Sequence, residues 1–289
     1  MFENFKKHIL VKFTVIFFVA TVFIFYISWH NSHRGFTFAM LDVGQGDALF
    51  IESPTGTQIL FDSGPNDKVL SELARVMPFY DKTIDAIIIS HPDQDHIGGF
   101  SDVFKNYKIG MVLEPGIPND SKTYQNLENE IKNKNVPDIL AKKDMKLDLG
   151  GGAFLNILFP DRDVSNWDTN DGSIVARLTY GNISFMLTGD ATQKTEKIIL
   201  SENLQKDLQS TFLKVGHHGS RTSSSLEFIK TVSPLYSLIS VGKDNKYGHP
   251  NKETLDILSS INSKIFRTDE SGAMIIKSDG QKESFSFLK

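Results

Sequence analysis

The chain has 289 residues, 40% of them hydrophobic and 23% charged, enough for one large globular domain or two small ones. It has no cysteine, which excludes a disulfide scaffold, a thiolate zinc site and a cysteine nucleophile. The net charge is −4, but residues 1–35 carry +3 and the remainder −7, so the globular part is a poor electrostatic binder of nucleic acid unless bound cations supply positive potential.

In chain order, Lys6, Lys7 and Lys12 precede an apolar run from Phe13 to Trp29. With Ile9 to Val11 added, the stretch is about as long as a bilayer core requires. Tyr26 and Trp29 lie near its far end, where interfacial aromatics sit. The leading lysines place the N-terminus in the cytoplasm and the rest of the chain outside. Residues 9–29 are therefore expected to cross a lipid bilayer as an uncleaved anchor. A cleaved signal peptide is the alternative, but the run is long for one and no small-x-small site follows. HNSHRG reads as a linker, which divides the chain into an anchor and linker, 1–35, and one globular domain, 36–289.

FTFAMLDV and DALFIES read as strands joined by the turn GQG, and QILFDSG as a third strand. VLSELARVMPFY has helical spacing at Leu70, Leu73, Val76 and Met77. IDAIIIS reads as a buried strand, SDVFKNY and YQNLENEIKNKN as helices, and GMVLEP as a strand between them. AFLNILFP, SIVARLTY and ISFMLTGD follow as strands, then a helix from Gln193 to Leu200. STFLKVGHHGS is a strand running into a histidine-rich loop. SLEFIKTV and KETLDILSSI read as helices around the strand PLYSLISVG, and KIFRTD and AMIIKSDGQKESFSF as closing strands. Both halves contain an apolar strand ending in an acidic turn, ILFDSG and FMLTGD, which hints at two sheets face to face with helices outside.

The stretch SHPDQDHIGG, residues 90–99, follows the strand IDAIII and places His91, Asp93, Asp95 and His96 at its C-terminal end, where a sheet edge leaves room for a site. In an extended loop His91, Asp93 and Asp95 share one direction and His96 takes the other, a geometry able to serve two metal ions. A polar loop with helix-capping aspartates is the plainer alternative. Gly98 and Gly99 allow close backbone approach. Ser220 and Ser223–Ser225 precede a helix, which suits either a phosphate or simple capping. Asp42 and Asp47 in LDVGQGD could brace a ligand histidine or be solvated in a turn. His249 in KYGHP could protonate a leaving group, donate to phosphate or be structural. Lys132, Lys134, Lys142, Lys143 and Lys146 form a basic stretch that lines a groove or covers a solvated helix face.

Here the chain resembles a known family. SHPDQDHIGG is similar to the His-x-(His/Asp)-x-Asp-His signature of the metallo-β-lactamase superfamily, with ILFDSG, LTGD and KVGHHGS as its companion motifs in order. More narrowly, LDVGQGD, HPDQDHIGG, NDGS, LTGD, KVGHHGS and YGHP together resemble the extracellular metallo-β-lactamase-like domain of the ComEC competence family, over about residues 38–275. The resemblance implies an α+β fold, a four-layer αββα sandwich preceded by one transmembrane helix. It implies two divalent metal ions, zinc or manganese. His91 and Asp93 would hold the first, Asp95 and His96 the second, and Asp190 would bridge both. His217 would complete the second, with His218 as the alternative. Asp95, His218 and His249 are the candidate catalytic residues.

Two departures from the common pattern matter. Asp93 stands where many members have histidine, and Asn170–Ser173 stand where a third-motif histidine is usual. More oxygen ligands make a harder site, which favours manganese or magnesium while remaining compatible with zinc. Two metals can share a water, lower its pKa and hold both the attacking and leaving oxygens, so no protein nucleophile is needed. The expectation is a membrane-anchored extracellular phosphodiesterase or nuclease, with DNA the first substrate implied. Cell-wall or lipid phosphoesters, a lactam or thioester, and a vestigial binding module are the alternatives.

Overall fold

The computed structural model describes residues 12–25 and 35–289. The expected membrane segment, 9–29, lies partly outside the described residues. Residues 12–25 are helical and their apolar side chains, Phe13, Phe17 and Phe25 among them, are exposed. Among the described residues no helix is long and apolar enough to cross a membrane.

The strands are β1 Phe36–Met40, β2 Leu49–Glu52, β3 Gln58–Phe61, β4 Thr83–Ile84, β5 Ala86–Ile88, β6 Lys108–Ile109, β7 Val112–Glu114, β8 Asp138–Leu140 and β9 Lys146–Gly150 in the first half. The second half adds β10 Ala153–Phe159, β11 Val175–Tyr180, β12 Ile183–Leu187, β13 Phe212–Lys214, β14 Tyr236–Ile239, β15 Lys264–Arg267, β16 Ala273–Ser278 and β17 Glu283–Leu288. One sheet runs β17-β16-β1-β2-β3-β5-β7-β8, the other β15-β14-β13-β12-β11-β10-β9, and β4 pairs with β6 separately.

Period-2 alternation builds the layers. In β1, Phe36, Phe38 and Met40 point into the space between the sheets, where they meet Leu155, Leu178, Phe185 and Phe212 of the other sheet. Phe38 stacks on Phe185 at 4.3 Å, and Phe185 on Phe212 at 4.5 Å. Each such buried phenylalanine contributes roughly 2–3 kcal/mol. Outward residues of the first sheet, Phe50, Leu60, Ile87 and Val112, pack under the helices Lys68–Val76, Phe100–Asn106 and Lys122–Asn133. Met186, Leu213 and Ile239 of the second sheet do the same under Gln193–Glu202, Leu226–Val232 and Lys252–Ser260. The result is helix, sheet, sheet, helix.

The two acidic-turn strands occupy equivalent places. β3 pairs antiparallel with β2 but parallel with β5, and β12 pairs antiparallel with β11 but parallel with β13. Each is thus the strand where a meander gives way to parallel crossovers, and the C-terminal ends of such strands leave a crevice. Asp62 follows β3 and Asp190 follows β12. β1 is antiparallel to β2, and β2 to β3, so β1 runs parallel to β3 and Phe36 lies at the end of the sandwich opposite Asp62.

The short strand β8 and the β4–β6 pair carry little apolar alternation, whereas β9 continues an alternation of Met145, Leu147 and Leu149 with polar residues. They also break up the basic stretch. Lys134 donates to the Phe104 carbonyl at 2.8 Å, Lys143 pairs with Glu202 at 2.8 Å, and Lys146 lies over the Phe154 ring. These lysines form neither one groove nor one helix face.

Candidate metal centre

Ser90 and His91 emerge from β5 beside Asp62, whose own φ is +60°. The Asp62 carboxylate accepts the Ser90 N–H at 2.8 Å, the Ser90 hydroxyl at 2.7 Å and His96 Nδ1–H at 2.9 Å. That fixes the His96 tautomer and turns Nε2 inward. His91 Nδ1 is likewise held by the Ser90 hydroxyl at 2.9 Å. The extended run expected through HPDQDH stops at Asp93 (φ −79°, ψ 149°), because a helix begins at Gln94. His91 and Asp93 remain together, Nε2 to Oδ2 3.6 Å, while the helical turn brings Asp95 to His218 and sets the His96 ring 4.1 Å from that of His91. Gly46 and Gly98 permit this packing: a Cβ on Gly46 would lie 2.2 Å from the Asp95 carbonyl oxygen, and one on Gly98 would lie 2.1 Å from that of Pro65.

Asp190 enters from the second sheet. Its Oδ1 lies 3.4 Å from His96 Nε2, and its Oδ2 lies 3.5 Å from His217 Nε2 and 3.6 Å from His218 Nε2. His217 and His218 both adopt left-handed backbone (φ +50° and +54°), which splays consecutive side chains around one carboxylate. His218 Nε2 also lies 3.3 Å from Asp95 Oδ2, and its Nδ1–H donates to the Ser240 carbonyl at 2.9 Å. His217 is turned by Thr222, 3.2 Å from its Nδ1, and feels the charge of His91. Beneath them Lys214, fully buried at the end of β13, contacts Asp47 and lies 3.8 Å from Asp190 Oδ1.

The electrostatics follow from crowding carboxylates around imidazoles. Burial opposes charge on His96, but Asp190 and Asp62 outweigh it and hold His96 well above its usual range. Burial likewise opposes charge on His218, yet Asp190 and Asp47 push it up to about 9. Burial would raise Asp190, Asp95, Asp47 and Asp93; the facing histidines, and Lys214 for Asp190 and Asp47, lower all four instead. His217 is lowered by burial. His249 is pushed down to about 4 by burial first, then by the charges of His217 and His218.

Divalent ions fit this arrangement. His91 Nε2, His96 Nε2, His218 Nε2 and Asp190 Oδ1 are buried without hydrogen-bond partners. Candidate ligand atoms of His91, His96 and Asp190 converge within 4.8 Å, as do those of Asp95, His96 and His218. Orphaned imidazole nitrogens pointing at carboxylates are the donor set a divalent cation satisfies.

Residues 41–243 match the Metallo-beta-lactamase superfamily. The chain belongs to that superfamily. It is 30% identical over 271 residues to ComE operon protein 3 of Bacillus subtilis, covering 86% of this chain and 34% of that protein. Competence protein ComA of Neisseria gonorrhoeae is 30% identical over 81% of this chain and 31% of its own length. Recombination protein 2 of Haemophilus influenzae is 31% identical over 80% and 27%. The chain thus spans about a third of the curated relatives it matches. Among solved structures, CmlA, a diiron β-hydroxylase from Streptomyces venezuelae, aligns with TM-score 0.56 and 12% identity over 85% of this chain and 54% of its own. A metallo-hydrolase of Ignicoccus hospitalis aligns with TM-score 0.50 and 14% identity over 88% and 100%. At these identities the structures establish the fold alone.

Against the superfamily pattern, the structure gathers His91, Asp93, Asp95, His96, Asp190, His217 and His218 at one crevice, and His249 at its rim, its ring 5.5 Å from that of His217. His218 is the histidine that meets Asp95. The third-motif loop acts as support: Thr169 donates to Asp93 at 3.2 Å, and the Ser173 hydroxyl accepts the Asp190 N–H at 3.3 Å. Asp47 is buried against Lys214 rather than solvated, whereas Asp42 is a surface turn residue paired with Lys68 at 3.2 Å. Ser225 caps its helix, and the N–H groups of Ser224 and Ser225 are taken by the Glu196 carboxylate, which leaves no phosphate cradle there. Lys214 escaped the sequence reading because a lysine in FLKVGHHGS looks like a strand's solvent-facing residue. Its inward phase is shared with Phe212, a signal that alternation alone could have supplied.

Proposed function

We propose that this chain is a two-metal phosphodiesterase acting on nucleic acid outside the cell, tethered to the membrane by residues 9–29. The observation that carries the reading is the convergence of three partnerless imidazole nitrogens on Asp190, with Asp93 and Asp95 beside them. Asp47, Asp62, Asp93, Asp95 and Asp190 exceed Lys214 by four negative charges, which two divalent ions balance. Oxygen-rich ligands favour a hard ion such as manganese, with zinc the alternative. The names of the relatives, competence and recombination proteins, make DNA the first substrate to test.

In this reading His91, Asp93 and His217 would hold one ion and Asp95, His96 and His218 the other, with Asp190 within reach of both sets. When bound, the ions supply Lewis acidity, an acidified water and a clamp on the non-bridging oxygens. The protein's own residues do the rest. Asp62, Ser90 and Ser240 lock the imidazole tautomers. Lys214 keeps Asp47 and Asp190 ionised. His249, neutral at pH 7, donates a hydrogen bond to a phosphate oxygen instead of acting as a proton source.

A substrate panel on the metal-loaded protein tests the reaction class: single-stranded DNA, a phosphocholine diester, bis-p-nitrophenyl phosphate and a lactam. Turnover of DNA and the activated diester is expected. Hydrolysis of the lactam alone would overturn the reading. Protease added to intact cells tests the tether, because an outward domain is digested without lysis.

A further inference from the structure

We propose that Tyr247 is a stacking platform for the nucleobase next to the scissile phosphodiester of a single-stranded nucleic acid; the inference rests on the phosphodiesterase reading and names how that site grips its substrate. Tyr247 is 55% exposed on the loop Lys243–Gly248, an unusual place for a large aromatic in an otherwise polar turn. The loop is not loosely held. The Asn245 side chain donates to the carbonyls of Gly242 (3.0 Å) and His249 (2.7 Å), and accepts the N–H groups of Tyr247 (3.2 Å) and His249 (3.1 Å). One amide thus fixes the backbone of Tyr247 and His249 together, so little backbone ordering entropy is left to lose on binding.

The ring is also placed with respect to the chemistry. Tyr247 stacks on His249 with centroids 5.9 Å apart and planes 25° apart, and His249 lies edge-on to His217, which faces Asp190. The platform is two side chains from the central carboxylate. Lys246 Nζ lies 5.2 Å from the Tyr247 centroid, and Lys243 is exposed on the same loop. Exposed aromatics interleaved with cations are how proteins hold single strands: the ring stacks an unpaired base and the cations follow the phosphates. A duplex, whose bases already stack on each other, offers no free face. With Lys243 and Lys246 set against Asp244, the loop carries a small positive excess on a domain of net negative charge.

The test is fluorescence anisotropy with the full-length, manganese-loaded chain and two phosphorothioate oligonucleotides of equal length, oligothymidylate and its abasic counterpart. The unaltered protein should prefer the base-bearing strand by roughly five- to a hundredfold, the range of one stacked base. Tyr247→Phe should keep that preference and Tyr247→Ala should bring the two affinities together. Lys246→Ala should weaken both strands alike and flatten the salt dependence. A preference that survives Tyr247→Ala, or none in the unaltered protein, overturns the proposal. Methyl p-nitrophenyl phosphate is assayed alongside: if it is hydrolysed while strands show no base preference, the platform alone fails. If it is not hydrolysed and neither strand binds, the phosphodiesterase reading fails with it.

Discussion

His217 and His218, neighbours in the chain, share one carboxylate oxygen: their Nε2 atoms lie 3.5 and 3.6 Å from Asp190 Oδ2. Only His218 continues to Asp95. His218→Ala is therefore expected to remove the ion held with Asp95 and His96, His217→Ala the ion held with His91, and Asp190→Ala both. Elemental analysis of the three variants, with Asp95→Ala and His91→Ala as references, checks the division. Identical losses in the two histidine variants would refute it.

Asp62 grips His96 by its Nδ1, the nitrogen turned away from Asp190, and holds the Ser90 hydroxyl as well. Asp62→Asn should weaken metal binding by about ten- to a hundredfold, the usual cost of losing a brace behind a ligand. The measurement is a chelator competition titration. An unchanged constant would show that packing alone fixes the His96 ring.

Metal binding should release protons. In the metal-free protein the carboxylates push His218 up to about 9, so it is protonated at pH 7.5, and they hold His96 well above its usual range. Calorimetry in buffers of differing ionisation enthalpy should report at least one proton released on full loading. Because the folded His218 value is raised, its contribution to metal-free stability is complete below about pH 6.5 and disappears as pH rises through about 9. Thermal unfolding of the metal-free chain should show that decline, and the loaded chain should not.

His249→Ala should slow activated and unactivated diesters to a similar degree. A group pushed down to about 4 carries no proton to give at pH 7, so its loss removes a hydrogen bond regardless of leaving group. A loss confined to poor leaving groups would restore the general-acid role.

Away from the centre, Glu114 is buried beside Asp138 and Glu128, and burial first, then those charges, raise it to about 7. Its ionisation therefore costs stability that develops between about pH 4.5 and 7. Glu114→Gln should stabilise the domain at pH 8 by up to about 3 kcal/mol and by almost nothing at pH 4. Denaturant melts at the two pH values decide it.

How far the sequence could be read depended on how local the signal was. The apolar strand before SHPDQDH, the acidic turns after β3 and β12, and the paired histidines announce themselves because ligands must cluster at strand ends. Asp47 is legible as a brace, and its carboxylate lies 3.4 Å from His218 Nδ1. Lys214 and Asn245 do not announce themselves, because each acts on residues distant in the chain or through its backbone neighbours, and composition carries no trace of that. The same limit left His217 and His218 unresolved: their separation comes from two consecutive left-handed residues, a conformation no propensity for histidine suggests. β8, half-exposed at a sheet edge, has too few apolar positions to register, whereas β9 carries a legible alternation in Met145, Leu147 and Leu149.

The direction of β1 sorts the candidate substrates by where they are found. The strand enters at Phe36 and delivers the chain to the crevice some 17 Å further on, at about 3.4 Å per residue. A tether attached before Phe36 would therefore hold the domain by its floor, with the mouth at Asp190 facing away from the bilayer. A headgroup in the membrane plane would have to reach around the whole sandwich. A polymer arriving from the surrounding medium would meet the opening first.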